Sequence, residues 1–160
     1  MYNLINIQEN LKIFKYRNFD FFFEFLYKFN FPKSTIDKLK INNQKTNVLK
    51  VDKKIIFLYE KDKQNLSNIL EEYKSNFKNK YRFILIFNGS DIISYDYDVS
   101  ETLFTDINNL NKEIQFFLPL LGIKKNHDTD FLDPNVQSSK KLATLYNELI
   151  IFNKFKEKNE

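Results

Sequence analysis

Two short apolar runs on either side of one helical segment constrain the fold most strongly. Residues 55–59 read Ile-Ile-Phe-Leu-Tyr, and residues 82–87 read Arg-Phe-Ile-Leu-Ile-Phe. Nearly continuous apolar strands are typical of the centre of a sheet that is covered on both faces. Between them, residues 64–78 carry apolar side chains at helical spacing on one stripe, with charged side chains opposite. A strand, a helix and a second strand in this order predict a crossover within a mixed sheet.

Each of the two apolar runs has a second strand beside it in the sequence. Residues 48–51 are apolar at three of four positions and are joined to the first run by Asp52-Lys53-Lys54, which predicts a hairpin. Asn88-Gly89 follows the second run and is a tight-turn signal, and residues 91–97 form the returning strand. The sequence therefore predicts a small mixed sheet of about four strands.

Helical periodicity occupies the two ends of the chain. Residues 4–30 repeat apolar side chains at helical spacing, with Asn18 and Asp20 as candidate caps of a second helix that starts there, and residues 33–40 favour a further short helix after Pro32. A short helix is predicted at 109–118, ending at Pro119, and an amphipathic helix at 138–156. The predicted fold class is α/β (α+β), with N-terminal helices, the small sheet with its crossover helix, and C-terminal helices.

The composition excludes several classes of site. The chain has no cysteine and a single histidine, His127, which excludes a disulfide scaffold, a thiol nucleophile and a histidine-rich metal site. Gly89 and Gly122 are the only glycines, too few for a glycine-rich phosphate loop. No apolar run reaches the roughly 18 residues of a membrane span, and no signal-peptide pattern opens the sequence, so we expect a cytoplasmic protein without a membrane partner.

The charge balance permits contact with nucleic acid without requiring it. The formal net charge is +4 and the isoelectric point is near 9.0. Several basic residues surround the predicted strands and the crossover helix, and we interpret them as a phosphate-binding face. They are Lys50, Lys53, Lys54, Lys61, Lys74, Lys78, Lys80 and Arg82. The alternative is a solvated surface in a chain that is rich in lysine throughout.

A degenerate metal-dependent nuclease pattern lies in the first hairpin. Asp52 occupies the turn, and Glu60 ends the following strand, with Lys63 three residues later. Two carboxylates that hold Mg²⁺, with a lysine that stabilises the developing charge, form such a site. A lysine two residues after the glutamate would share its face of a strand, whereas Lys63 is one position too far. The alternative is a solvated charged turn, and no other metal ligands are predicted.

Four segments, in order, resemble phrases of a known protein family. Residues 25–36 are similar to "FLxxFGFPKxTI", and residues 81–89 are similar to "PRFxIxTxG". Residues 101–103 together with 116–123 resemble "xTLxI…FFLPLxGI", and residues 140–149 resemble "xKxAxLYxEL". These phrases resemble the N-terminal region of large class I adenine DNA methyltransferases of the type IIG restriction–modification kind, the MmeI-like group.

The resemblance implies a domain organisation. Residues 1–137 would form a restriction-nuclease-like (restriction-endonuclease-like) N-terminal domain, and 138–160 would be the linker-type amphipathic helix that leads into a methyltransferase domain. This chain stops where that domain should begin, which predicts a stand-alone or truncated protein. The adenine pocket would need an Asn-Pro-Pro-Tyr-type motif, and the nearest string, at 133–136, reads Asp-Pro-Asn-Val. S-adenosylmethionine would therefore belong to the missing domain, and we expect no cofactor in this chain.

Three functions remain open at this point. The preferred hypothesis is a domain that is not catalytic by itself and that contacts DNA or supports a separately encoded methyltransferase subunit. Its partner-binding stripe would be Leu142, Leu145, Leu149 and Phe152 on the last helix. The second hypothesis is a Mg²⁺-dependent DNA endonuclease subunit that uses Asp52, Glu60 and Lys63. The third is an interaction protein that acts through the same helix and has no role on DNA.

Overall fold

The fold is built on a mixed sheet with helices on both faces. The computed structural model describes residues 3–43, 46–61 and 63–124. Its five strands lie side by side in chain order. They are β1 (Val48–Val51), β2 (Ile55–Tyr59), β3 (Phe83–Phe87), β4 (Asp91–Asp96) and β5 (Glu101–Asp106). Neighbouring strands are antiparallel except β2 and β3, which are parallel. The predicted α+β class with a mixed sheet is confirmed.

The two central strands are buried on both faces, as their sequences predict. In β2 and β3 the side chains alternate between two apolar clusters, one on each face of the sheet. Phe57 and Phe87 point to one face, whereas Leu58 and Ile86 point to the other. The parallel pair is connected by α4 (Leu66–Phe77), which covers the second face. The predicted crossover is therefore present.

Both predicted hairpins form. Val51 pairs with Ile55 across the first turn, where Asp52 adopts a left-handed conformation with φ of 46°. In the second turn, Gly89 has φ of 107°, and a Cβ atom at that position would lie 2.9 Å from the carbonyl oxygen of Arg17. Both the backbone conformation and the close approach therefore require glycine.

The fifth strand was not predicted from the sequence. β5 pairs with β4 along its whole length, from Asp91 opposite Asp106 to Asp96 opposite Glu101. It is an edge strand, and all six of its residues are exposed or half-buried. A strand with acidic ends and only Leu103 and Phe104 as large apolar residues carries little periodicity for a sequence to reveal.

Three helices cover the first face, and the helical region is shorter than its periodicity suggests. α1 (Leu4–Asn10), α2 (Phe21–Lys28) and α3 (Lys33–Asn42) are separated by connections, so residues 11–20 are not helical. The carboxylate of Glu24 accepts hydrogen bonds from the backbone N–H groups of Lys15 and Tyr16. The ammonium of Lys28 donates to the carbonyl oxygens of Asn10 and Ile13. These side-chain bonds supply partners that a helix would have supplied.

A 3₁₀ helical segment at Leu110–Leu121 completes the first face. It runs past Pro119, where the sequence predicts its end, and it is kinked at Glu113. Gly122 ends it in a left-handed conformation with φ of 75°, and the N–H groups of Gly122 and Ile123 donate to carbonyl oxygens of the last turn.

Among the described residues, no helix is long and apolar enough to cross a membrane. The predicted helix at 138–156 lies outside the described residues. The division into 1–137 and 138–160 therefore stays a prediction.

Candidate nucleic-acid interface

Parallel pairing of β2 and β3 brings two basic segments to one edge of the sheet. The backbone N–H of Arg82 donates to the carbonyl oxygen of Lys53 at 3.1 Å. The backbone N–H of Phe83 donates to Lys54 at 2.9 Å. The turn before β2 therefore lies beside the connection that leads from α4 into β3. We call Lys53, Lys54, Lys78, Lys80 and Arg82 the basic edge.

Four lysines of the basic edge extend into solvent. Lys53, Lys54, Lys78 and Lys80 are all exposed, and the Lys54 ammonium lies 5.3 Å from the centre of the Phe31 ring. Lys50 is exposed on β1 and is paired in register with Ile56, so it lies on the face that α4 covers. The structure therefore brings four of the eight predicted phosphate-binding residues, Lys53, Lys54, Lys78 and Lys80, to one end of the sheet, and leaves Lys50 exposed on β1.

Arg82 differs from these lysines because two carboxylates already bind it. Its Nε and Nη2 atoms lie 3.3 Å from the two oxygens of Asp96, whose side chain is fully buried. Its Nη1 atom lies 3.1 Å from Asp98 Oδ2. The forked geometry suits a guanidinium and two acceptors. Sequence reasoning counted Arg82 as an available cation and did not identify these two acidic partners.

Lys74 also has internal partners. Its ammonium lies 3.0 Å from Glu71 and 4.1 Å from the centre of the Tyr95 ring. An ammonium over a phenol ring is attracted by the negative face of the ring. The predicted role of Lys74 in DNA binding therefore competes with two contacts inside the domain.

Tyrosines line a shallow cavity of about 460 Å³ next to the basic edge. Tyr81, Tyr95 and Tyr97 contribute rings to it, together with Lys78 and Asp98. The Tyr97 hydroxyl donates to the Lys74 carbonyl oxygen at 2.7 Å. Burial raises the pKa of Tyr97 to about 12, and the neighbouring Tyr95 adds to the rise. The sequence gives one indication of this cluster: residues 95 and 97 are two apart on the predicted strand, so their side chains share a face.

Two of the predicted catalytic residues, Glu60 and Lys63, lie at the opposite end of the central strands from the basic edge. The backbone N–H of Glu60 donates to Phe87 at the carboxyl ends of β2 and β3. The carbonyl oxygen of Lys63 accepts a bond from Asn88 Nδ2 at 2.7 Å. Lys61 follows Glu60 directly, so it lies at this edge and not at the basic edge.

The structure does not bring Asp52 to Glu60. The two residues flank opposite ends of β2, a strand of five residues that spans roughly 17 Å. Carboxylates that share one Mg²⁺ ion each approach it to about 2 Å. In the part of the chain that the structure describes, no group of three histidine, cysteine or acidic side chains is arranged to hold a metal ion. The catalytic assignment of Asp52, Glu60 and Lys63 therefore stays a prediction without geometric support.

Asp106 has a structural role at that edge. Its carboxylate accepts bonds from the Asn109 side chain at 2.7 Å and from the backbone N–H groups of Asn108 and Asn109. The bond from the Asn109 side chain, with smaller contributions from the backbone bonds and from Lys112, holds the pKa of Asp106 below its usual value. This carboxylate fixes the turn after β5.

The predicted partner-binding residues, Leu142, Leu145, Leu149 and Phe152, lie outside the described residues, and so does His127.

Comparison with known proteins gives one match. The family model described as MmeI, N-terminal domain, matches residues 5–150, which is most of the chain. No curated protein and no solved structure matches the sequence or the fold.

Proposed function

The chain belongs to the MmeI N-terminal domain family, and from this premise we propose that its basic edge is a DNA-contacting surface of a restriction–modification protein. The family gives the restriction–modification context. The observation that carries the proposal is the pairing of β2 with β3, which places four exposed lysines from two distant segments at one edge.

The chemistry of the edge fits the DNA backbone better than the bases. Lysine ammonium groups are compact point charges that bind phosphate without reading sequence. Such contacts release counterions, so binding is strong at low salt and weakens steeply as salt rises. The basic edge would therefore supply affinity and orientation.

Charge reversal at the basic edge tests this proposal. We expect the triple substitution Lys53→Glu, Lys54→Glu and Lys80→Glu to weaken binding of duplex DNA at low salt on the order of 100-fold. The slope of log K against log salt should flatten by about 2.7, which corresponds to roughly 0.9 for each lost phosphate contact. Both quantities are measured by fluorescence anisotropy with a labelled duplex over a salt series.

The matched control reverses three exposed lysines elsewhere, Lys12, Lys38 and Lys112, which lie beside α1, in α3 and in the 3₁₀ segment. It changes the net charge by the same amount. The proposal is wrong if the control loses as much affinity as the triple variant, or if the wild-type protein leaves DNA unbound at low salt. Thermal melting of both variants checks that the fold is intact.

We propose a separately encoded methyltransferase domain or subunit as the protein partner, in keeping with the family context. The test is purification of the tagged chain from its own cells, with identification of the proteins that elute with it. A DNA methyltransferase in the wild-type eluate, lost when Leu145→Asp and Leu149→Asp are introduced, supports the proposal. Its absence from the wild-type eluate contradicts it.

A further inference from the structure

The arrangement around Arg82 differs from the rest of the basic edge in a way that bears on how tightly DNA is held. Arg82 directly precedes β3, and its backbone N–H donates to the carbonyl oxygen of Lys53, so it stands among the exposed lysines. Its side chain is 30% exposed, and that of Asp98 is 60% exposed, whereas that of Asp96 is fully buried. The guanidinium thus has one buried acidic partner and one partner at the surface.

The two partners hold the guanidinium by different atoms. Asp96 occupies Nε and Nη2, and Asp98 occupies Nη1. The backbone N–H of Asp98 also donates to Asp96 Oδ1 at 3.0 Å, so the two acidic residues are held at a fixed spacing. The bidentate bond to Asp96 would keep the head group in place if Asp98 were displaced.

While Asp98 is paired with Arg82, the charges around Arg82 disfavour phosphate binding. The Asp98 carboxylate, whose side chain is 60% exposed, adds a negative charge among the exposed lysines. A phosphate oxygen in place of Asp98 would pair with the same Nη1 atom, and guanidinium groups bind phosphate well. An exposed ion pair contributes little to stability, so its exchange for a phosphate contact has a small cost.

We infer that Asp98 limits the DNA affinity of the basic edge by occupying Arg82, which is a further phosphate-binding residue held in reserve. The inference rests on the proposed function of the basic edge. It assigns opposite roles to two acidic residues of the same group: Asp96 positions Arg82, and Asp98 competes with DNA for it.

The test compares two isosteric substitutions that remove one negative charge from the same end of the sheet. Asp98→Asn removes the acidic competitor, whereas Asp52→Asn removes an exposed carboxylate in the turn before β2. We expect Asp98→Asn to tighten duplex binding about five- to tenfold at low salt and to steepen the salt slope by about 0.9, the value for one added phosphate contact. Asp52→Asn should tighten binding less than about twofold, since it only weakens a screened repulsion.

A second variant shows whether the gain passes through Arg82. Arg82→Lys keeps a positive charge beside the buried Asp96 but has no fork with which to reach a second acceptor. In the Arg82→Lys background, Asp98→Asn should yield no more than the gain of Asp52→Asn. Thermal melting shows whether each variant is folded before binding is measured.

The outcomes separate this inference from the proposed function. If the wild-type protein binds DNA through the basic edge, but Asp98→Asn gains no more than Asp52→Asn, the inference is wrong and the proposed function stands. An undiminished gain in the Arg82→Lys background also overturns it. If the lysine triple variant binds like the wild type, the proposed function fails first.

Discussion

On one face of the sheet, phenylalanine rings from α2, β2 and β3 interlock, whereas on the other face α4 covers a smaller group of aliphatic side chains. The buried phenylalanines of the described residues all belong to the first face. The second face has Leu66 and Leu70 over the aliphatic side chains of β2 and β3, with half-buried tyrosines at its margin. The tyrosine-lined cavity adjoins this second face, and Lys78 of the basic edge is among the residues that line it.

This difference separates stability from binding. A large, closed ring cluster contributes most of the apolar burial and needs three helices to cover it. The face under α4 needs only one helix, and its margin keeps polar and charged groups accessible. Changes on the first face should therefore be felt as lost stability, and changes at the margin of the second face as altered binding.

The largest loss is expected from Phe57→Ala at the centre of the first face. Phe57 is fully buried, stacked on Phe22 with ring centres 4.7 Å apart and edge-on to Phe25 at 5.5 Å. Its removal leaves a cavity and should lower the free energy of unfolding by about 3–5 kcal/mol. Urea denaturation measures the change as a lower midpoint at unchanged slope.

Phe104→Ala is the matched control for that experiment. Phe104 is 62% exposed on β5, so the same substitution there should change stability by less than about 0.5 kcal/mol. Similar losses for the two variants would remove the distinction between the ring cluster and the sheet margin.

A smaller loss is expected from Leu70→Ala on the second face. Leu70 is 2% exposed beneath α4, within the aliphatic cluster of β2 and β3. Truncation of a buried leucine should cost about 2–3 kcal/mol by the same measurement. A loss larger than that of Phe57→Ala would show that the helix α4, not the ring cluster, dominates stability.

Glu24→Gln probes the ion pair that fixes the connection between α1 and α2. Glu24 lies 3.7 Å from Lys28, and both side chains are largely buried. The amide keeps an acceptor but loses the charge, which should cost about 1–2 kcal/mol. The control is Glu9→Gln in the exposed pair with Lys12, where we expect less than about 0.5 kcal/mol. Equal effects in urea denaturation would contradict the assigned role of Glu24.

The smallest effect is expected at high pH from Tyr97→Phe at the margin of the second face. The pKa of Tyr97 is raised to about 12 in the folded protein, so folding favours the neutral phenol. The stability that the folded protein gains from keeping this phenol neutral is fully present below the ordinary tyrosine pKa near 10. It is lost as the pH rises towards 12. At pH 8 the free energy of unfolding of the wild type should exceed that of the variant by less than about 1 kcal/mol, because only the wild type has the hydrogen bond to the Lys74 carbonyl oxygen.

Urea denaturation of both proteins from pH 8 to pH 11.5 measures that difference. It should shrink as the pH rises above about 10. A difference that stays constant over this range would contradict the role given to burial of Tyr97.

The central strands and their crossover helix could be predicted because their residues carry the pattern locally. The apolar runs at β2 and β3 indicated burial on both faces, and the stripe of α4 indicated one covered side. The connection at 11–20 could not be predicted in the same way. Its apolar residues keep helical spacing. Its backbone groups, however, are hydrogen-bonded by the side chains of Glu24 and Lys28, which belong to the neighbouring helix α2.

The candidate site, too, could be predicted only in part from the sequence. Residue type and charge in the sequence were enough to nominate Lys53, Lys54 and Lys80 for phosphate binding, and four segments in order were enough to establish the family resemblance. Only the tertiary structure decided that the turn before β2 and the start of β3 share an edge, and that Arg82 is held by Asp96 and Asp98. The physical reason is that periodicity and propensity act over a few residues, whereas strand pairing and the neutralisation of a buried charge join residues that are far apart in the chain.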